Sequence, residues 1–119
     1  MNVSGIHHCS VIVQDLDVAR QFYEGLLGLT AIERPNKPFD GIWYEVGAQQ
    51  IHLLLATEAT ARSSLYPGEQ RHVALRVNDL PALSTRLKDA GIVCTPSRSG
   101  RPVIFCTDPD GNAFELIGD

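Results

Sequence analysis

Positive charge is scarce in this sequence. Its 119 residues carry 10 Lys and Arg against 14 Asp and Glu, a net charge of −4. No basic stripe is present to neutralise a phosphate backbone or an anionic bilayer, so neither nucleic acid nor membrane is expected as a partner. Long apolar runs are missing too. None approaches the roughly 18 residues of a membrane-spanning helix. The opening MNVSGIHHCSVIV has no cationic start, and two histidines and a serine interrupt its apolar stretch. It does not read as a signal peptide. Cysteine is limited to Cys9, Cys94 and Cys106, an odd count without C-x-x-C spacing. Reduced, buried thiols in a cytoplasmic protein are expected. There is no glycine-rich phosphate loop and no G-x-S-x-G elbow, which removes two common chemistries. What remains, 44% hydrophobic and 20% charged, has the balance and length of one globular domain, residues 1–119.

A repeat organises the chain. His8-Cys9-Ser10-Val11-Ile12-Val13-Gln14-Asp15-Leu16 recurs as His72-Val73-Ala74-Leu75-Arg76-Val77-Asn78-Asp79-Leu80. Each copy alternates like a strand and then meets an Asp-Leu helix start. Ala19, Phe22, Tyr23, Leu26 and Leu27 follow at helical spacing, as do Leu83, Leu87 and Ala90, and the helices end at Gly28 and Gly91. Ile51-His52-Leu53-Leu54 then matches Phe114-Glu115-Leu116-Ile117. Each half reads β-α-β-β-β, with strands near 5–14, 29–34, 41–47 and 49–56, then 72–78, 92–96, 102–107 and 112–117. Module one is 1–56 and module two is 72–119. Residues 57–71, polar and carrying Pro67-Gly68, read as a linker with a helical turn at its start. A half of this size buries little apolar surface alone, so the halves are expected to share a core or a sheet edge and to dimerise.

Strand alternation assigns faces. Cys9, Val11 and Val13, and likewise Val73, Leu75 and Val77, point toward the helix. His8, Ser10 and Ile12, and likewise His72, Ala74 and Arg76, point to the face the helix leaves free. His7 points opposite to His8 on this reading. Glu115 opposes the apolar pair Phe114 and Leu116, and His52 opposes Ile51 and Leu53. Four residues, His8, His52, His72 and Glu115, therefore occupy two equivalent pairs of free-face positions. An enclosed carboxylate is costly unless paired or metal-bound. Three imidazoles and one carboxylate suit a divalent transition metal. The segment DPDGNAFELI is not a calcium loop. Gly111 comes too early for an EF-hand, Pro109 breaks the ligand run, and no closing glutamate follows. It reads as a tight turn entering a strand.

The segments IHHCSVIVQDLDVARQFYEGLLGL, IHLLL, RHVALRVNDL and FCTDPDGNAFELI, in that order, resemble the vicinal oxygen chelate superfamily of glyoxalase I, extradiol dioxygenases and the fosfomycin and bleomycin resistance proteins. The resemblance implies an α+β fold of two βαβββ modules in a cupped, barrel-like mixed sheet, with helices on its outer face. It implies that His8, His52, His72 and Glu115 bind one divalent transition metal per site, nickel, zinc, manganese or iron. It also implies a homodimer acting on a small molecule. A glyoxalase I-like member would isomerise the hemithioacetal of a 2-oxoaldehyde and glutathione, with Glu115 moving the proton. At His52 the sequence departs from bacterial glyoxalase I, which has a glutamate there.

Other members set the competing readings. An extradiol-type dioxygenase would use His8, His72 and Glu115 as a two-histidine, one-carboxylate triad for iron. A fosfomycin-type thiol transferase would use the same ligands and needs a cation for a phosphonate. Arg76 on the free face is the candidate for anchoring an anionic substrate, or else a partner for Glu45. Arg98 and Arg101 read as solvated loop residues. A non-catalytic, bleomycin-resistance-like binding protein would line a groove with Trp43, Tyr44 or Phe105, although Trp43 and Tyr44 cannot face the same side.

Overall fold

The structure is a computed structural model that describes residues 2–35, 40–56, 58 and 61–119. The start of the expected linker, where a helical turn was read, has Thr57, Ala59 and Thr60 outside the described residues, as is Phe39. Two compact units emerge, Met1–Thr60 and Ala61–Asp119. The first contains β1 (His8–Val13), α1 (Leu16–Arg20) and a π-helical turn (Gln21–Leu26). Then come β2 (Thr30–Ile32), β3 (Gly41–Val46) and β4 (Gln49–Leu55). The second contains a 3-10 turn (Pro67–Glu69), β5 (His72–Arg76), α2 (Leu80–Asp89), β6 (Thr95–Pro96), β7 (Val103–Thr107) and β8 (Ala113–Ile117).

The expected β-α-β-β-β order is present twice, and the fold is α+β. The sheets run β1-β4-β3-β2 and β5-β8-β7-β6. In each, the first strand lies parallel to the last and the other pairs are antiparallel. Both sheets are open, with edge strands on either side, so neither closes into a barrel. The repeat extends to register. Ser10 lies opposite His52, and Ala74 opposite Glu115. Across the next gap, Trp43 lies opposite His52 and Phe105 opposite Glu115. One cross-strand row in each module thus carries the candidate ligand and one aromatic residue.

Both helices start as the Asp-Leu pairs imply. The Asp15 carboxylate accepts from the Val18 amide at 3.0 Å, and the Asp79 carboxylate accepts from Ala82 at 3.1 Å. Each cap is worth about 1 kcal/mol. Both helices stop at a left-handed glycine, Gly28 with φ 74° and Gly91 with φ 81°. The first helix is not a continuous α-helix, however. From Gln21 it widens, and the Leu27 amide donates to the Phe22 carbonyl five residues back. Within this widened turn the consecutive Phe22 and Tyr23 are both buried. Tyr23 stacks on Tyr44, with centroids 5.8 Å apart. The Tyr44 hydroxyl donates to Glu24 Oε2 at 2.7 Å, and Arg20 donates to the same oxygen at 2.8 Å.

The core follows the predicted alternation. Val13, Ile51 and Leu53 are buried in module one, and Leu83, Leu87, Phe114 and Leu116 in module two. Each such side chain contributes about 1.5–3 kcal/mol. Ala90 departs from the expected stripe. It is exposed because it is already the C-cap of α2. Cys106 is buried, while Cys9 and Cys94 are half-buried, and all three are free thiols. Among the described residues no helix is long and apolar enough to cross a membrane.

Candidate metal centre

The sharp turn of DPDGN feeds β8 and so places Glu115. Asp108 holds that turn together. Its carboxylate accepts from the amides of Asp110 (2.9 Å) and Asn112 (2.8 Å) and from the Asn112 side chain (2.8 Å). Asp108 is 2% exposed. The turn thus absorbs the acceptor that a calcium loop would have needed.

Glu115 then meets His72. The two lie on neighbouring parallel strands, offset by two residues on one face, with His72 Nε2 3.5 Å from Glu115 Oε1. Their side chains are 25% and 20% exposed. His72 Nδ1 donates to the Gln70 carbonyl at 2.7 Å. In the neutral ring this makes Nε2 the lone-pair nitrogen, and Nε2 is the atom facing Glu115. Two donors each about 2.1 Å from one ion stand about 3.0 Å apart at a right angle and about 3.4 Å at the tetrahedral angle. The His72–Glu115 pair fits that spacing. Phe105 packs edge-on to His72, with centroids 5.6 Å apart.

Module one brings its own pair together differently. His8 and His52 stack face to face, with centroids 3.9 Å apart and planes at 15°. Trp43 covers the other side of His52 at 4.1 Å and 6°. His52 is only 5% exposed as a result. Its Nε2 is engaged by Gln50 Oε1 at 2.7 Å. A metal lies in the plane of each imidazole that binds it. Two nearly parallel planes this far apart share no such point, so the stacked rings do not chelate one ion as they stand. Among the described residues no group of three or more His, Cys, Asp and Glu side chains forms a metal-holding cluster. The structure brings together two pairs, one in each module.

His7 corrects the alternation argument. It precedes β1 and is not bound by strand geometry. Its Nδ1 hydrogen-bonds His8 Nδ1 at 2.8 Å. Arg76 is exposed at the end of β5 and makes no ion pair among the described residues. Trp43 and Tyr44 face opposite sides, as alternation requires.

The C-terminal part of the expected linker is structured, and sequence reasoning missed its role. Tyr66 packs edge-on to Phe105 at 5.6 Å. Its hydroxyl donates to the Pro96 carbonyl (3.3 Å) and accepts from the Arg98 amide (3.1 Å). The Arg98 guanidinium lies 3.7 Å above the Tyr66 ring and reaches Glu69 at 3.5 Å. Pro67-Gly68 was the only signal, and it announces a turn without saying what the turn covers.

Residues 5–116 match the Glyoxalase/Bleomycin resistance protein/Dioxygenase superfamily, and the chain belongs to it. Glyoxylase I 4 from Arabidopsis thaliana is 26% identical over 125 residues, covering 98% of this chain and 71% of that protein. Metallothiol transferase FosB from Bacillus licheniformis is 28% identical over 130 residues, covering 96% and 75%. A solved glyoxalase family protein from Bacillus anthracis matches with a TM-score of 0.81 at 25% identity, over 100% of this chain and 98% of that one. A variant of the fosfomycin resistance protein FosX from Listeria monocytogenes matches with a TM-score of 0.79 over 98% and 94%. That structure holds Mn(II) and 1S,2S-dihydroxypropylphosphonic acid, and at 20% identity the likeness is one of fold.

Proposed function

We propose that this chain is a metal-dependent enzyme of the vicinal oxygen chelate type. Its closest activity on this reading is that of a glyoxalase I-like lyase or isomerase. The substrate is a small molecule with two vicinal oxygens, such as the hemithioacetal of a 2-oxoaldehyde and glutathione. The reading rests on one observation, His72 Nε2 and Glu115 Oε1 at 3.5 Å with the His72 tautomer set by Gln70. The glyoxalase relative and the Mn(II)-bound FosX neighbour support it.

His72 and Glu115 would hold the ion, nickel, zinc, manganese or iron. His8 and His52 would complete the set, once their rings leave the stack. Bound there, the ion supplies Lewis-acid stabilisation of charge developing on the two oxygens. Glu115 carries the proton. Its carboxylate takes it from the hydroxyl-bearing carbon and returns it to the neighbouring carbonyl carbon, while the hydroxyl proton passes to the oxygen of that carbonyl. The first carbon is oxidised, the second reduced, and the substrate's composition is unchanged. Phe105, opposite Glu115 and 4% exposed, gives that carboxylate an apolar wall. Arg76 offers a cation to an anionic end of the substrate. Both modules act as one domain, and two chains form a homodimer.

The test pairs elemental analysis of untagged protein, purified without chelator, with a hemithioacetal isomerisation assay. About one metal per site and turnover lost in Glu115→Gln are expected. Absence of metal, with none taken up on titration, would overturn the reading. FosB among the relatives favours a second reading, a thiol transferase built on the same pair. It predicts consumption of free thiol with fosfomycin and no isomerisation.

A further inference from the structure

We infer that the strap Leu65–Gln70 is the positioning element of His72, latched to its module by Tyr66 and Arg98. This deepens the metal reading and rests on it for the role of His72. Free imidazole has no obligation to carry its proton on Nδ1. Here the Gln70 carbonyl, 2.7 Å from Nδ1, imposes that tautomer and turns Nε2 toward Glu115. A metal-binding histidine is oriented in this way by the acceptor its other nitrogen meets.

The carbonyl is only as well placed as the strap that carries it. Hydrogen bonds and ring contacts fix the strap. The Gln70 side chain donates to the Leu65 carbonyl at 2.8 Å, and the Gln70 amide to the Pro67 carbonyl at 3.2 Å, which closes the strap on itself. Tyr66 ties it to residues 96–98 through its hydroxyl and lies under the Arg98 guanidinium. Gly68 lets it lie flat on the aromatic pair. A Cβ there would come within 2.7 Å of the Tyr66 ring and 3.2 Å of Phe105. Phe105 in turn touches His72. The Arg98–Glu69 pair is exposed on both sides, at 69% and 57%, and adds little. The latch is the hydroxyl and the ring of Tyr66. Residues 96–98, remote from His72 in sequence, thereby share control of its orientation.

The test uses the full chain labelled with 15N-histidine. Long-range proton–nitrogen correlation spectra, recorded without metal well above the imidazole range, report the tautomer of His72. The resonance is assigned by its loss in His72→Gln. The wild type is expected to hold the proton on Nδ1. Tyr66→Ala is expected to shift His72 toward the Nε2–H form and to weaken Zn(II) binding about 10- to 100-fold, the usual effect of losing such support. Tyr66→Phe keeps the ring and loses the hydroxyl, and should fall between. Gln70→Ala, which leaves the backbone carbonyl in place but unties it from Leu65, should move in the same direction. His72 remaining Nδ1–H with unchanged Zn(II) affinity in Tyr66→Ala and Gln70→Ala would overturn the inference. A wild type already in the Nε2–H form would do the same. A tautomer shift in a protein that binds no Zn(II) would uphold the strap's role and overturn the metal reading instead.

Discussion

Trp43 lies flat on His52, with centroids 4.1 Å apart and planes within 6°, and it is the single tryptophan of the chain. His8 stacks on the opposite side of the same imidazole. Truncating His52 removes the middle ring of a three-ring pile, and that ring alone is almost closed to solvent, at 5% exposed, while His8 is exposed. The lost stacking is worth about 0.5–1.5 kcal/mol, and the cavity adds to it. His52→Ala is expected to lower stability by about 2–3 kcal/mol. Urea denaturation followed by Trp43 emission measures this, and the folded variant should emit further to the red. An unchanged midpoint and emission would mean that the pile contributes nothing.

The two modules also predict unequal ligands. His72 and Glu115 already stand at ligand spacing, whereas His8 and His52 must first unstack. His72→Ala and Glu115→Ala should each cost more metal affinity than His8→Ala. His7→Ala should have a smaller effect still, acting only through the 2.8 Å hydrogen bond to His8. Titration of Mn(II) or Zn(II) into the four variants ranks them. Equal, small losses in all four would remove the site.

Much of this arrangement was legible in the sequence, because strand period and repeat act together. A period of two fixes which side of a strand a residue faces, and the repeated register then aligned His52 with Glu115 without any contact being known. The helix starts were legible for a local reason, since Asp15 and Asp79 cap amides three residues away. The stack of His8 on His52 was not. Alternation says which face a ring occupies and nothing about its rotamer. The π-helical turn was hidden because Phe22 and Tyr23 suit an α-helical stripe equally well. The strap was hidden because its contacts join Tyr66 to Arg98 across 32 residues with no periodic pattern, and Arg98 looked like a solvated loop residue.

Gly111 carries a backbone prediction. Its φ is 86°, and an added Cβ would meet Arg62 Cγ at 3.0 Å and Arg62 Nη1 at 3.2 Å. The Arg62 guanidinium is held there by a hydrogen bond to the Pro109 carbonyl. Gly111→Ala should therefore cost about 1–3 kcal/mol, from left-handed backbone strain alone if the arginine yields. The companion Arg62→Ala with Gly111→Ala should recover only the steric part. A Gly111→Ala variant as stable as wild type, by urea midpoint, would show that the turn accommodates the strain elsewhere.

Burial pushes the Cys106 thiol from its ordinary 9.0 up to about 12, helped by Cys94 and Asp108 nearby. Its proton stays on in the folded state while the unfolded chain releases it. The unfolded state therefore binds fewer protons between these two values, and stability falls as pH rises through that window. Below 9.0 the contribution is fully present. Above it, this group alone removes about 1.4 kcal/mol per pH unit until about 12. Cys106→Ala loses packing at every pH but should flatten the alkaline slope by that amount. Urea midpoints of both proteins from pH 8 to about pH 10.5 test the difference. At neutral pH, Cys106 should also resist iodoacetamide until the chain unfolds, while the half-buried Cys9 and Cys94 react first. Parallel slopes in the two proteins, or early alkylation of Cys106, would show that its thiol is not sequestered beneath the sheet.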